Sequence, residues 1–266
     1  MGETCALCSQ AGLSRRRMLA GLAGAGAAAG LGALAAGCAT NPVTGRNQLI
    51  LVDDGQLQQM SVQAWAQERQ RNRVWDNAAQ QARLQRVGLN IARFAQIPNA
   101  QWEFVIFDSP EKNAYVLPGG KVGFYRGLIE ICDRDDHIAT VLGHEVGHVV
   151  ARHAAERYSR AMAEQGVMSV AGAAVNSTIA QQALGLGLQL GVALPFSRAQ
   201  ESEADIVGID LMHAAGYDVR QSIVFWQRME QAGGQRPPAF LSTHPEPAGR
   251  IAGIRAHINA RGWGPV

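Results

Sequence analysis

Hydrophobic positions along this chain follow two rhythms, and the switch between them marks out the elements. From Leu57 to about Phe94, apolar residues recur at helical spacing among many Gln and Arg, which predicts one or two amphipathic helices. Trp102-Glu103-Phe104-Val105-Ile106-Phe107 is compact and β-prone and predicts a strand. Ala114-Tyr115-Val116-Leu117, the turn residues Pro118-Gly119-Gly120 and then Lys121-Val122-Gly123-Phe124-Tyr125 predict a hairpin. The helical rhythm returns at Ile138, Val141, Leu142, Val146 and Val149, in a helix running from Asp135 to about Tyr158 that opens on acids near its positive end. Further helices are expected near Ala199 to Ala215, Val219 to Ala232 and Pro247 to Arg261, with Gly216-Tyr217-Asp218 ending one and capping the next. The fold class is therefore α+β, mostly α, with a small sheet and hairpin beside the long helix.

Two stretches break the pattern. Residues 39 to 54, with turns at Asn41-Pro42 and Thr44-Gly45, read as an extended tether. Gly166 to Leu194 is rich in Ala, Gly, Leu and Val but interrupted by Asn176, Gln181, Gln182 and Gln189. Those polar residues argue for a buried or lid-like helical pair over a membrane span.

The amino terminus changes the picture of where the chain works. Ser14-Arg15-Arg16-Arg17-Met18-Leu19 is a basic lead into an uncharged, Ala/Gly/Leu-rich run from Ala20 to Ala36, the layout of an export signal. The arginines resemble those of a twin-arginine leader. Leu34-Ala35-Ala36-Gly37-Cys38 resembles a bacterial lipobox, so Cys38 is expected to be lipidated and to anchor the chain to a membrane. Ala39 after it fits export to the outer membrane, on the periplasmic side of the cell envelope. The expected organisation is a signal over residues 1–37, a lipidated tether over 38–56 and one folded domain over 57–266, roughly 230 residues with the tether and enough for a single core. Of the four cysteines only Cys132 then remains inside the domain, as a small buried apolar residue, and no disulfide framework is expected. The formal charge of +2 falls when the leader is removed and gives no reason to expect a nucleic-acid partner.

Chemistry concentrates in His144-Glu145-Val146-Gly147-His148. On a helix the residues at i and i+4 share a face, so both imidazoles can reach one ion, and neutral imidazole nitrogen suits zinc. Glu145 beside them can take a proton from water that the metal has acidified, the general-base role in metal-assisted peptide hydrolysis. A catalytic zinc needs a third protein ligand and an open position. His153, nine residues after His144 on a continuous helix, points to roughly the opposite side and reads as a surface histidine. Glu201 is the better ligand: on the helix through Ile206, Val207, Ile209, Leu211 and Met212 it shares a face with Asp205. Asp205 is expected to accept a hydrogen bond from the non-ligating nitrogen of a ligand histidine. Glu203 points away and reads as an exposed salt-bridge partner.

These segments, in this order, resemble the gluzincin metallopeptidases that include the CAAX prenyl protease, the heat-shock protease HtpX and the mitochondrial Oma protease. The resemblance rests on His144 to His148 and on Glu201 with Ala204-Asp205. It extends to Asn113 to Lys121, to Leu194-Pro195-Phe196-Ser197-Arg198, and to Ser242-Thr243-His244-Pro245 with Arg250, covering about Asn41 to His257. It implies a zincin-like domain holding one zinc ion per chain. It also brings His244 and Arg250 back to the cleft, to stabilise the oxyanion of the tetrahedral intermediate; His244 could equally occupy the open zinc position at rest. A sheet edge near Gly119, Gly120, Lys121, Val122 and Gly123 would take extended peptide as an added strand. The function expected is zinc-dependent endoproteolysis of misfolded or misassembled envelope proteins. The alternative is a zinc-containing chaperone or assembly factor that cleaves little.

Overall fold

A computed structural model describes residues 38–170, 196–232, 238–245 and 249–264. The expected export signal, and most of the interval read as a lid, lie outside the described residues. A short ribbon comes first, β1 (Cys38–Thr40) antiparallel to β2 (Asn47–Leu49). Two helices follow, α1 (Asp54–Arg71), capped by the Asp53 side chain, and α2 (Ala78–Ala95), capped by Asn77. Then come β3 (Glu103–Phe107), β4 (Ala114–Leu117), β5 (Lys121–Tyr125) and the single turn α3 (Arg126–Ile129). The metal-motif helix is α4 (Asp135–Val150), succeeded by α5 (His153–Val170), α6 (Arg198–Ala214), α7 (Gln221–Gln231), α8 (Ala239–Thr243) and α9 (Arg250–Ala260). The mostly helical α+β architecture read from the sequence is the one observed.

The sheet has the order β3-β5-β4, with β5 parallel to β3 and antiparallel to β4. The hairpin forms as predicted, and Gly119 and Gly120, at φ +88° and +93°, supply the left-handed turn that other residues resist. Both sheet faces are covered, which explains strands without polar alternation. Phe104 and Ile106 of β3 join the main core with Leu84, Val87 and Ile91 of α2 and with Ile138 and Leu142 of α4. Val105 and Phe107 point the other way, onto Trp65 of α1 and onto Tyr115 and Leu117. One consequence corrects an expectation. Because β5 is bonded on both sides, residues 121–123 have no free edge; the free edge belongs to β4, beside α4.

Two further differences concern the amino-terminal segment and the end of the metal helix. Residues 39–54 are not a loose tether but fold onto the domain, with Asn41 and Gln48 at 1% and 0% exposure. Asn41, Thr44, Arg46 and Gln48 look like linker composition, yet they are partners for buried carboxylates on α5 and α6. The metal helix stops at Val150 because Arg152 adopts a left-handed conformation, φ +58°, with its guanidinium on Asp54 at 2.7 Å. The chain restarts at His153 in a new direction, so helical phase counted from His144 no longer applies there.

Candidate metal centre

The site is built where α4 crosses α6 with almost nothing between the backbones. An added Cβ at Gly143 would sit 2.7 Å from the Gly208 carbonyl oxygen, and one at Gly147 would sit 2.7 Å from that of Ala204. Small residues here let the two helices touch, which carries Glu201 and Asp205 up to the imidazoles of His144 and His148. Helix α6 starts in a full capping box: Gln200 N–H donates to Ser197 Oγ at 3.3 Å and Ser197 N–H to Gln200 Oε1 at 3.1 Å. Glu201 therefore sits in the first turn, 0% exposed.

His144 Nε2 and His148 Nε2 are 3.1 Å apart, and Glu201 oxygens lie 3.3 and 3.5 Å from them. His244 Nδ1 is 3.3 Å from His144 Nε2 and 3.1 Å from Glu201 Oε1. Donors of these four residues all fall within 4.8 Å of one another. Tetrahedral zinc with bonds of about 2.0–2.1 Å sets its donors about 3.3 Å apart. The closest contacts match that spacing, and three imidazoles with one carboxylate are donors zinc accepts. Arg250 reaches Glu201 on Oε2.

The supporting contacts fix the rings. His144 Nδ1 lies 2.8 Å from Asp205 Oδ1, as the sequence suggested, and Arg250 Nε donates to Asp205 Oδ2 at 2.9 Å. The Arg250 guanidinium also stacks 4.4 Å from the Trp226 ring, and Trp226 meets His144 edge-on. Arg250 is thus occupied in holding the two carboxylates and does not line the cleft that Glu145 and His244 line. His148 is stacked under Phe196 at 3.9 Å, and Phe196 also stacks on His244.

Charge follows from this packing. Burial opposes protonation of His144, but Glu201 and Asp205 outweigh it and raise the ring from 6.5 to about 9. Burial would raise Glu201, and the surrounding His144, His148 and His244 overcome it and hold the carboxyl well below its ordinary range. His148 is driven well down by burial. Burial pushes Glu145 up, against the pull of His244 and His144. Glu145 Oε1 is buried without a hydrogen-bond partner, 3.4 Å from His244 Nε2. The adjoining cleft encloses about 30 Å³ and is lined by Glu145, His148, His244 and the β4 residues Val116 and Leu117.

Two residues differ sharply from their sequence reading. His153 is no surface histidine: it is fully buried, with Nδ1 2.8 Å from His148 Nδ1. Glu203 is no exposed acid: it is 5% exposed and bonded to His153 Nε2 at 2.9 Å. The left-handed Arg152 is the cause for the first, and the folded ribbon for the second; neither leaves a signal in hydrophobic spacing. Phe196 and Trp226 were also missed as parts of the site, although Phe196 stands in a segment that carried the resemblance. Cys132 is buried and free as expected, with burial raising its thiol far above the usual range.

Comparison with known proteins gives the lineage. Residues 78–258 match Peptidase family M48, more than half of the chain. The chain belongs to that family. It is 38% identical over 173 residues to the mitochondrial metalloendopeptidase OMA1 of Schizosaccharomyces pombe, covering 64% of this chain and 51% of that protein. It is 31% identical over 233 residues to the mitochondrial metalloendopeptidase OMA1 of Bos taurus, covering 79% and 44%. The β-barrel assembly-enhancing protease of Escherichia coli K12 is 29% identical over 187 residues, covering 65% and 38%. This M48 chain spans about half the length, or less, of these curated relatives. Among its described residues no helix is long and apolar enough to cross a membrane.

Proposed function

We propose that the chain is a zinc-dependent endopeptidase, with His144, His148 and Glu201 as protein ligands and Glu145 as general base. The single observation that carries this is the convergence of those three side chains, from two helices, at the spacing of donors around one zinc ion. When bound, zinc supplies Lewis acidity that polarises the scissile carbonyl and acidifies the attacking water. Glu145 takes the proton from that water and passes it to the leaving nitrogen, a task suited to a carboxyl whose affinity for protons burial has increased. Asp205 keeps His144 Nδ1 protonated so that Nε2 faces the ion. Arg250, in contact with both Glu201 and Asp205, positions the ligand set.

Substrate backbone docks along the free edge of β4, where Val116 and Leu117 lie beside Glu145 in the cleft. The Gly119–Gly120 turn ends that strand and aims the edge, with Lys121, Val122 and Gly123 backing it from the centre of the sheet. His244 Nδ1 sits among the metal donors, which supports a closed resting form that opens when substrate displaces the ring. In the displaced position its Nε2 can donate to the oxyanion.

Substrates are misfolded or misassembled proteins of the bacterial cell envelope; backbone docking at a strand edge asks for extended chain and little side-chain sequence. The likeness to the Escherichia coli protease supports the envelope assignment, together with the export-like leader and the lipobox-like residues ending at Cys38. Cys38 then carries the lipid, on the periplasmic face of the outer membrane, after export by the twin-arginine route.

Glu145→Gln is predicted to bind zinc in the same stoichiometry as the unchanged chain and to lose cleavage of casein in unfolded form. Equal rates of casein digestion by the two proteins would remove Glu145 from its assigned role.

A further inference from the structure

The site as proposed uses neither His153 nor Glu203, yet both are buried and joined to it. Each ligand histidine has a second ring nitrogen that must be answered. For His144 the answer is Asp205. For His148 it is another imidazole, His153 Nδ1 at 2.8 Å.

The protons in this contact have one consistent arrangement. With Nε2 of His148 turned to the ion, its Nδ1 carries the proton and donates, so Nδ1 of His153 accepts. The proton of His153 then sits on Nε2, where Glu203 Oε2 accepts it at 2.9 Å. Glu203 is in turn clamped by the amino-terminal ribbon and its turn. Thr44 Oγ1 donates to it at 2.6 Å, Arg46 Nε at 2.9 Å and Asn41 Nδ2 at 3.0 Å. Hydrogen bonds in series polarise one another, so the carboxylate acts on His148 through the intervening ring.

We propose that His153 is a positioning residue for His148, and that Glu203, held by Asn41, Thr44 and Arg46, fixes the tautomer of both rings. The ribbon that begins at Cys38 thereby belongs to the metal centre. The proposal rests on the reading of His148 as a ligand through Nε2.

The test uses the zinc-loaded chain with ¹⁵N-labelled histidine. An N–H···N bond transmits a scalar coupling between the two imidazole nitrogens, whereas rings that merely pack show none. The expected result is that coupling for His148 and His153, lost in His153→Asn. Chelator competition supplies a second reading. His153→Phe keeps a ring but no acceptor and should weaken zinc binding about 10–100-fold. His153→Asn, with an amide oxygen near the Nδ1 position, should recover most of that loss. A zinc-loaded wild type without the coupling overturns the relay, as does a folded His153→Phe that binds zinc as tightly as wild type. Should His153→Phe not fold, the coupling decides alone. A wild-type chain that binds no zinc removes the reading of the metal centre, and the relay with it.

Discussion

His144 lies under the strongest opposing influences in the site, deep burial against two carboxylates, and the carboxylates prevail. In the metal-free chain the ring is held protonated up to about pH 9, and zinc must displace that proton to reach Nε2. Zinc affinity should therefore rise with pH until about 9 and fall below it. Titration calorimetry at pH 7 in buffers of different ionisation enthalpy should show proton release on binding; identical heats in all buffers would contradict this. At this scale the sequence was most informative for side chains on unbroken helices. Four-residue spacing paired His144 with His148 and Glu201 with Asp205 correctly. It failed for His153, because a single left-handed arginine, which has no compositional signature, ended the helix between them.

At the scale of elements, the centre depends on how closely α4 and α6 approach. Gly147, inside the histidine motif, stands against the Ala204 carbonyl with no room for a methyl group. Gly147→Ala should force the helices apart, lowering stability by about 1–3 kcal/mol through overpacking, and should weaken zinc binding as Glu201 retreats from the imidazoles. Thermal unfolding with and without zinc measures both effects, and an unchanged zinc-induced rise in Tm would show that the spacing is not critical. Periodicity located β3, β4, β5, α6, α7 and α9 to within a few residues, because it reports which side of an element is buried; it missed the β1–β2 ribbon, α3 and α8, and it ran α4 on to about Tyr158 where the helix ends at Val150 and α5 begins at His153. Which helices cross leaves no periodic signal; Glu201 was reached through the helix face it shares with Asp205, and its place in the family's order agreed with that choice. The free sheet edge was misplaced by one strand, since a hairpin read locally says nothing of the parallel partner on its far side.

For the whole molecule, the amino-terminal ribbon is the part composition described least well. Its residues were read as an extended tether, but Arg46 bridges Glu156 and Glu203 with bonds of 2.8 and 2.9 Å across the joint between α5 and α6. Burial would raise both carboxyls. For Glu203, His153 and Arg46 reverse the sign and bring it from 4.5 to about 2; for Glu156, Arg46 also lowers it. A folded-state value below the unfolded one means stability fully present above pH 4.5 and lost as pH falls towards 2. In denaturant titrations across that window Arg46→Met should flatten the acid dependence, and on removing one partner from a buried ion pair it should destabilise the neutral protein by about 3–5 kcal/mol. An acid profile unchanged by the substitution would show that the ribbon is peripheral after all.

The central claim, one zinc ion held by His144, His148 and Glu201, is tested most directly by X-ray absorption at the zinc edge on the zinc-loaded chain. The account predicts one zinc per chain, surrounded only by nitrogen and oxygen at about 2.0–2.2 Å, with the imidazole scattering reduced in His148→Ala. A sulfur shell at about 2.3 Å, or a spectrum that His148→Ala leaves unchanged, would contradict it.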